Sequence, residues 1–218
     1  MLCALPLRFF QRSHLEALSL AEFEESRSAT EFNHDEYNDR FSKFVDTPCH
    51  STTEIGGELF MVTVEHVDLP EQMNKMGVID YYLKKETRNR LANDMVMEIK
   101  CHKEVDSETI IEVSTTKGVG WVLSQRNSCN VVHRSSDSKV IAYSVPPASV
   151  GWKAKDTLSY VYIHGVDVID IVGGCRVRYV NVFSLGGSIP KSIYAYIAGN
   201  VKAISTIQEE LLNAGRCI

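Results

Sequence analysis

The end of the chain constrains the fold most. Gly186-Gly187 predicts a turn, Ser188 can cap a helix, and Pro190 suits its first turn. Ile193, Ile197, Val201, Ile204 and Leu211 then recur near the helical period to about Asn213, with Gly215 beyond the end. Such a helix has about 25 residues and spans ~37 Å. A rod of that length crosses the full width of one sheet, so the rest of the chain must supply a surface broad enough to receive it.

What precedes it reads mostly as strand. Glu58–Val67 alternates. Asp68 as N-cap, Pro70 in the first turn and Glu71 in the capping-box position then predict a helix carrying Met73, Met76, Ile79 and Leu83 to about Lys85. A short second helix follows near Glu86–Ala92. Met95–Lys103 and Glu108–Thr116 flank a hairpin-length turn. Ser128–Arg134, Lys139–Val145 and Thr157–His164 are further strands, and Val166–Val172 and Cys175–Ser184 flank the hairpin signal Gly173-Gly174. Consecutive hairpins imply an antiparallel sheet. The class is therefore α+β, with a sheet wrapped around a helix.

Residues 1–55 read as an acidic leader, which can also supply a first helix and strand to the domain expected at 56–214. The net charge of the chain is -5, and residues 21–47 carry all of it, with eight acids against three bases. A neutral body excludes a general nucleic-acid binder, which needs a basic surface. A short helix is expected at Leu15–Glu25, and the polar stretch with Asn33, Asp35, Asn38 and Asp39 reads as turn. Arg8, Arg12, Phe9 and Phe10, with no acid before Glu16, resemble a mitochondrial presequence; the plainer reading is an unordered start, so a cytoplasmic protein is expected, with mitochondrial association as the alternative. The longest uncharged stretch, about Val140 to Trp152, is too short for a membrane span and is broken by Pro146-Pro147. Six cysteines without CxxC spacing point to free thiols, and no metal or other cofactor is expected.

The search for catalytic patterns is negative: no P-loop, no GxGxxG, no GxSxG, and no metal spacing among the seven histidines. A non-enzyme is expected. Two features ask for a reason. Glu112 and Ser114 share one face of their strand, and Arg134 closes another strand; facing inward they would need each other or a ligand, facing outward they are solvated by water. The closing helix carries Gly199 with Ala195, Ala198, Ala203 and Ser205, which fits either close packing on a strand or the wall of a cavity.

The run Arg178-Tyr179-Val180-Asn181-Val182-Phe183-Ser184-Leu185-Gly186-Gly187-Ser188-Ile189-Pro190-Lys191, followed by a long helix, resembles the end of the steroidogenic acute regulatory protein-related lipid transfer (START) domain. Ser124-Gln125-Arg126-Asn127 stands where that family has S-P-R-D, and the order of elements fits from about Phe60 to Asn213. Departures are Gln125 and Asn127 in that motif, and Ser184-Leu185 in place of Asp-Pro.

The resemblance implies a helix-grip fold, a curved antiparallel sheet of about nine strands wrapped around the C-terminal helix. It implies a tunnel for a single lipid (a sterol, a phospholipid or a ceramide), carried between membranes or sensed. Glu112, Ser114, Val132, Arg134, Tyr162, Ile193, Ile197, Val201 and Ile204 would line it; the family's cavity acid and arginine fall in register at Ser114 and Val132, one pleat from Glu112 and Arg134, so either Glu112–Arg134 is the cavity ion pair or the pair is lost and the tunnel is less polar. Pro147, Val150 and Trp152 would form a lid touching the membrane. A monomer with transient membrane contact follows. Two alternatives remain: a helix-grip enzyme, cyclase-like or hydrolase-like, using Glu112, His102 or His164, and a degenerate domain acting through protein partners.

Overall fold

The computed structural model describes residues 32–91, 96–118, 123–187, 189–198 and 204–216. The expected helix at 15–25, the cap at Ser188, and Gly199, Val201 and Ala203 lie outside them. The strands are β1 (Cys49–Ile55), β2 (Glu58–Leu69), β3 (Val96–Glu104), β4 (Thr109–Thr116), β5 (Arg126–Ser136), β6 (Lys139–Ser144), β7 (Thr157–Leu158), β8 (Tyr160–Ile171) and β9 (Gly174–Ser184). The helices are α1 (His34–Phe44), α2 (Lys75–Leu83), α3 (Lys85–Leu91), α4 (Lys191–Ala198) and α5 (Gln208–Arg216), with 3-10 turns at Pro147–Val150 and Ile204–Ile207. One sheet holds all the described strands in the order β1-β2-β9-β8-β6-β5-β4-β3, with β7 set against β5. Every pairing is antiparallel except β7 with β5. The α+β class and the helix-grip arrangement expected from the sequence are what the chain adopts.

Alternation along the strands gives the sheet two different faces. Phe60, Val62, Val64, Val180 and Val182 point to one face, where α1 covers them with Tyr37, Phe41 and Phe44. Val67, Leu69, Cys175, Val177 and Tyr179 point to the other, packed with Val78, Ile79 and Tyr82 of α2, Leu91 of α3 and Leu211 of α5. β3 ends the sheet on one side, with register shifts between Val96 and Glu98 and between Cys101 and Lys103. β1 ends it on the other, with α4 lying against β1 and β2.

Several local expectations are corrected. β2 runs through Asp68 to Leu69, because Asp68 pairs across the ladder with Arg176 (Nη2 to Oδ2, 2.8 Å); helix α2 begins only after Asn74, whose side chain accepts from the Gly77 N–H. Thr157–His164 and Val166–Val172 are not two strands: β8 runs unbroken through Gly165. The closing helix is not one α-helix, since 204–207 is a tighter 3-10 turn, and Gly215 lies inside α5 against Met73 rather than beyond its end. The polar stretch read as turn is α1, capped by Asn33 and amphipathic through Tyr37, Arg40, Phe41 and Phe44. Residues 34–55 thus supply the first helix and strand of the fold. β1 pairs with β2 residue by residue from Cys49↔Val64 to Ile55↔Glu58, and α1 completes a core, so a boundary at 55/56 would cut the body of the fold.

Candidate functional site

Between the second face of the sheet and the helices lies a cavity of about 210 Å³. Its sheet wall is built by alternation: Glu112, Ser114 and Thr116 on β4, Ser128 and Asn130 on β5, Ala142 on β6, His164 on β8, and Tyr179, Asn181 and Phe183 on β9. The helices contribute Tyr82, Arg88, Leu91 and Ile197. The inward reading of the Glu112–Ser114 face is the one realised. Many of these residues are polar, yet the surface they present is mainly apolar, because their polar atoms are engaged with one another.

Three engagements account for this. Arg88 donates through Nη1 to both carboxylate oxygens of Glu112, at 2.8 and 2.7 Å. Burial pushes the Glu112 carboxyl up, against the pull of the Arg88 charge. A belt of hydroxyls and one amide crosses four strands: Ser114 and Ser128 share a hydrogen bond of 2.6 Å, Asn130 Nδ2 donates to Ser128 at 3.1 Å, and the Ser144 hydroxyl donates to Asn130 Oδ1 at 2.8 Å. The Val161 N–H closes the belt on Ser144 at 2.8 Å. Finally, the Tyr82 hydroxyl meets Nε2 of His164, which is also bonded to the Asn181 side chain. Burial holds the His164 imidazole down to about 4 and the Tyr82 phenol well above its ordinary value, so both are neutral near pH 7.

The end of the cavity lined by Leu123 and Leu185 is held by the motif at 124–127. Arg126 donates Nε to the Leu185 carbonyl at 2.8 Å and Nη1 to the carbonyl of Ser124 at 3.0 Å, fastening the start of β5 to the end of β9. Asn127 Oδ1 accepts from the N–H groups of Lys155 and Asp156, each at 3.0 Å, and so fixes the approach to β7. Gly186 follows at φ 68°, and a Cβ there would stand 1.9 Å from the Leu158 carbonyl oxygen. Both the backbone angle and the space require glycine. Tyr194 of α4 accepts from the Leu185 N–H at 3.1 Å, which ties that helix to the same corner.

Of the residues expected to line a tunnel, Glu112, Ser114 and Ile197 border the cavity. Val132 and Ile204 lie in the solid core beside it. Ile193 is half-buried on α4, and Val201 lies outside the described residues. Two placements differ from expectation. Arg134 is not the partner of Glu112: its guanidinium pairs with Asp80 of α2 and stands 3.9 Å from Glu108. Tyr162 faces the other side of the sheet, against Phe44, Phe60 and the Arg40 guanidinium, because a bulge between Val161 and Ile163 shifts the alternation there. Pro147 and Val150 bound a 3-10 turn whose Val150 carbonyl meets the His102 ring at 3.2 Å, and Trp152 is half-buried. His102 is thus outside the cavity. Sequence reasoning missed Arg88, which sits on a short helix with no periodic signal. It also missed Ser128, Asn130 and Tyr179, which the parity used for β4 could have found. Among the described residues no group of three His, Cys, Asp or Glu side chains could hold a metal ion, and no helix is long and apolar enough to cross a membrane.

No family model and no curated protein matches the chain. Solved structures match in shape. Human StAR-related lipid transfer protein 5 superposes with a TM-score of 0.55 at 12% identity, over 89% of this chain and 97% of that one. Human STARD10 gives 0.53 at 12% identity, over 84% and 80%. At such identity the likeness speaks for architecture: the chain has a START-like helix-grip fold.

Proposed function

We propose that the protein binds one apolar lipid in this cavity and carries it between membranes or senses it, without chemical conversion. The observation that carries the reading is the cavity itself. It is a mainly apolar hollow, walled by the sheet and helices of a fold shared with lipid transfer domains, in a place where a single-layer protein would otherwise close its core. Burying the ligand's apolar surface supplies roughly 25 cal/mol per Å², so no charged partner is needed. A volume of about 210 Å³ lies below the ~300–1,000 Å³ of ordinary ligand cavities. That favours a small or single-chain molecule over a two-chain phospholipid. Native mass spectrometry of the purified protein, followed by lipid extraction, tests the reading. The expected result is one lipid per chain, recovered with its mass unchanged. Failure to take up any member of a panel of sterol, ceramide, phosphatidylcholine and single-chain lipids overturns it.

The Tyr82–His164 contact favours a second reading, because it puts an acid–base group inside the hollow. An enzyme of the cyclase or hydrolase kind would return the lipid with an altered mass in the same experiment. We assign membrane contact to the segment around Trp152, since indole favours the bilayer interface. Trp152→Ala should slow lipid transfer between vesicles while leaving equilibrium binding within about twofold; an unchanged transfer rate removes that assignment.

A further inference from the structure

We infer that the polar belt of the cavity reads a carbonyl oxygen in the apolar body of its lipid, through Asn130 together with Ser114 or Ser128, and so selects ester- or keto-lipids over hydrocarbons of the same shape. The inference rests on the lipid-binding reading above and narrows its ligand class.

Every side chain of the belt has a partner, yet the belt holds more donors than it can use. Ser114, Ser128 and Ser144 carry one hydroxyl proton each, and the Asn130 amide carries two, so the belt has five donor protons. Three hydrogen bonds join these groups to one another: Ser114 with Ser128 at 2.6 Å, Asn130 with Ser128 at 3.1 Å and Ser144 with Asn130 at 2.8 Å. Each bond consumes one proton, whichever partner donates and whichever way the amide is turned. Two protons are therefore left over. The Val161 N–H occupies a lone pair of Ser144 and does nothing to relieve the surplus.

With the amide donating to Ser128 and accepting from Ser144, one spare proton is its second N–H. The other is the hydroxyl proton of Ser114 or of Ser128, whose mutual bond reads either way. All three residues border the cavity, and among the described residues neither proton has an acceptor. Glu112 stands across the ladder from Asn130, but its two oxygens are engaged by Arg88. Ser128 and Asn130 are buried, where a donor left without an acceptor is costly. Ser114 and Asn130 both lie within 3.1 Å of the Ser128 hydroxyl, so the spare protons arise side by side. A carbonyl oxygen brings two lone pairs and no proton, and one such oxygen can accept both. An ammonium head would bring further donors to a site already in surplus, and a methylene group in place of the oxygen would leave both protons unmet.

The test uses a matched pair, 2-undecanone and 2-methyl-1-undecene, in which a methylene group stands in place of the oxygen. Each displaces the fluorescent probe 1-anilinonaphthalene-8-sulfonate from the full chain. Replacing the belt with apolar groups, Ser114→Ala/Ser128→Ala/Asn130→Leu, should lower the affinity for the ketone relative to its isostere about tenfold, the worth of two net hydrogen bonds. Infrared spectroscopy of the ketone on wild type reads the contact without any variant: its carbonyl stretch should lie below the value in hexane. A hexane-like band on wild type, or a relative affinity that changes less than about twofold in the variant, overturns the inference. Uptake of other lipids without the ketone overturns it as well, whereas uptake of no lipid at all strikes the lipid-binding reading itself.

Discussion

The two faces of the sheet are made by the same strands and come to opposite ends. Beneath α1, aliphatic and aromatic side chains of β2, β5, β6 and β9 fill the core, with Phe41, Val131, Ile141, Val180 and Val182 almost wholly buried. On the other face the same strands fill only one half. Toward Leu69 and Cys175 the packing is solid; toward Ser128, Asn181 and Leu185 it opens into a hollow edged with polar groups that satisfy one another. The difference teaches that hollowness here is not a shortage of apolar residues. It is set by which strand positions carry short polar side chains and by how those pair across strands.

That contrast can be broken or sharpened by substitution. The largest effect should come from the solid face: Phe41→Ala leaves a void that surrounding side chains cannot fill and should cost about 3–5 kcal/mol in urea unfolding. On the hollow face, Arg88→Met leaves the Glu112 carboxylate without its partner and should cost about 3 kcal/mol, most of it regained in the double variant Arg88→Met/Glu112→Leu. No recovery in the double variant would mean that the pair is worth more than its neutral replacement.

Acid probes the same hollow. His164 titrates near 4 in the folded chain, below the 6.5 of a free imidazole. The unfolded chain therefore takes up this proton first. The stability contributed is complete above pH 6.5 and is lost as pH falls toward 4. Between pH 7 and 4.5 the loss from this group should be about 2–3 kcal/mol. The Glu112 carboxyl, raised by burial, acts in the opposite direction and offsets part of it. Comparing wild type with His164→Gln at both pH values isolates the imidazole; equal losses in the two proteins would show that it is not buried neutral.

The smallest effects make the comparison most direct. A Cβ on Gly165 would stand 2.4 Å from the Val140 carbonyl oxygen and 3.2 Å from the Phe41 ring, so Gly165→Ala on the solid face should cost about 1–3 kcal/mol. Ala142→Val adds two methyl groups toward the hollow instead. It should change stability by less than about 1 kcal/mol and weaken lipid binding. A reversed order of the two costs would erase the distinction between the faces.

Much of the fold was legible because the hairpins repeat and their periods are clean: the Gly173-Gly174 turn, the pattern of β9 and the Gly186-Gly187 corner lie where expected. α1 and β1 escaped for opposite reasons. α1 hides its apolar face among charged residues that exceed it in number, and β1 sits at a margin with only Ile55 fully buried, so it shows little alternation. The cavity was half legible. Parity placed Glu112 and Ser114 on one face, but only tertiary packing could bring Arg88 to Glu112 from a helix 24 residues earlier in the chain. Tyr162 was misplaced because a bulge leaves no mark in a simple alternation of polar and apolar residues.

The two margins of the sheet carry a further consequence. An open sheet is a template on which stray strands can grow, and a hollow protein has less core to hold itself together while they do. β3 meets that hazard with two register shifts and with Glu98, Lys100, Lys103 and Glu104, all exposed, whose charges discourage an incoming strand. β1 has fewer charges along its length and is flanked instead by α4, the helix that also borders the cavity. On the lipid-binding reading, a movement of α4 that admits a ligand would therefore also loosen its packing on β1 and β2, the last two strands on that side of the sheet.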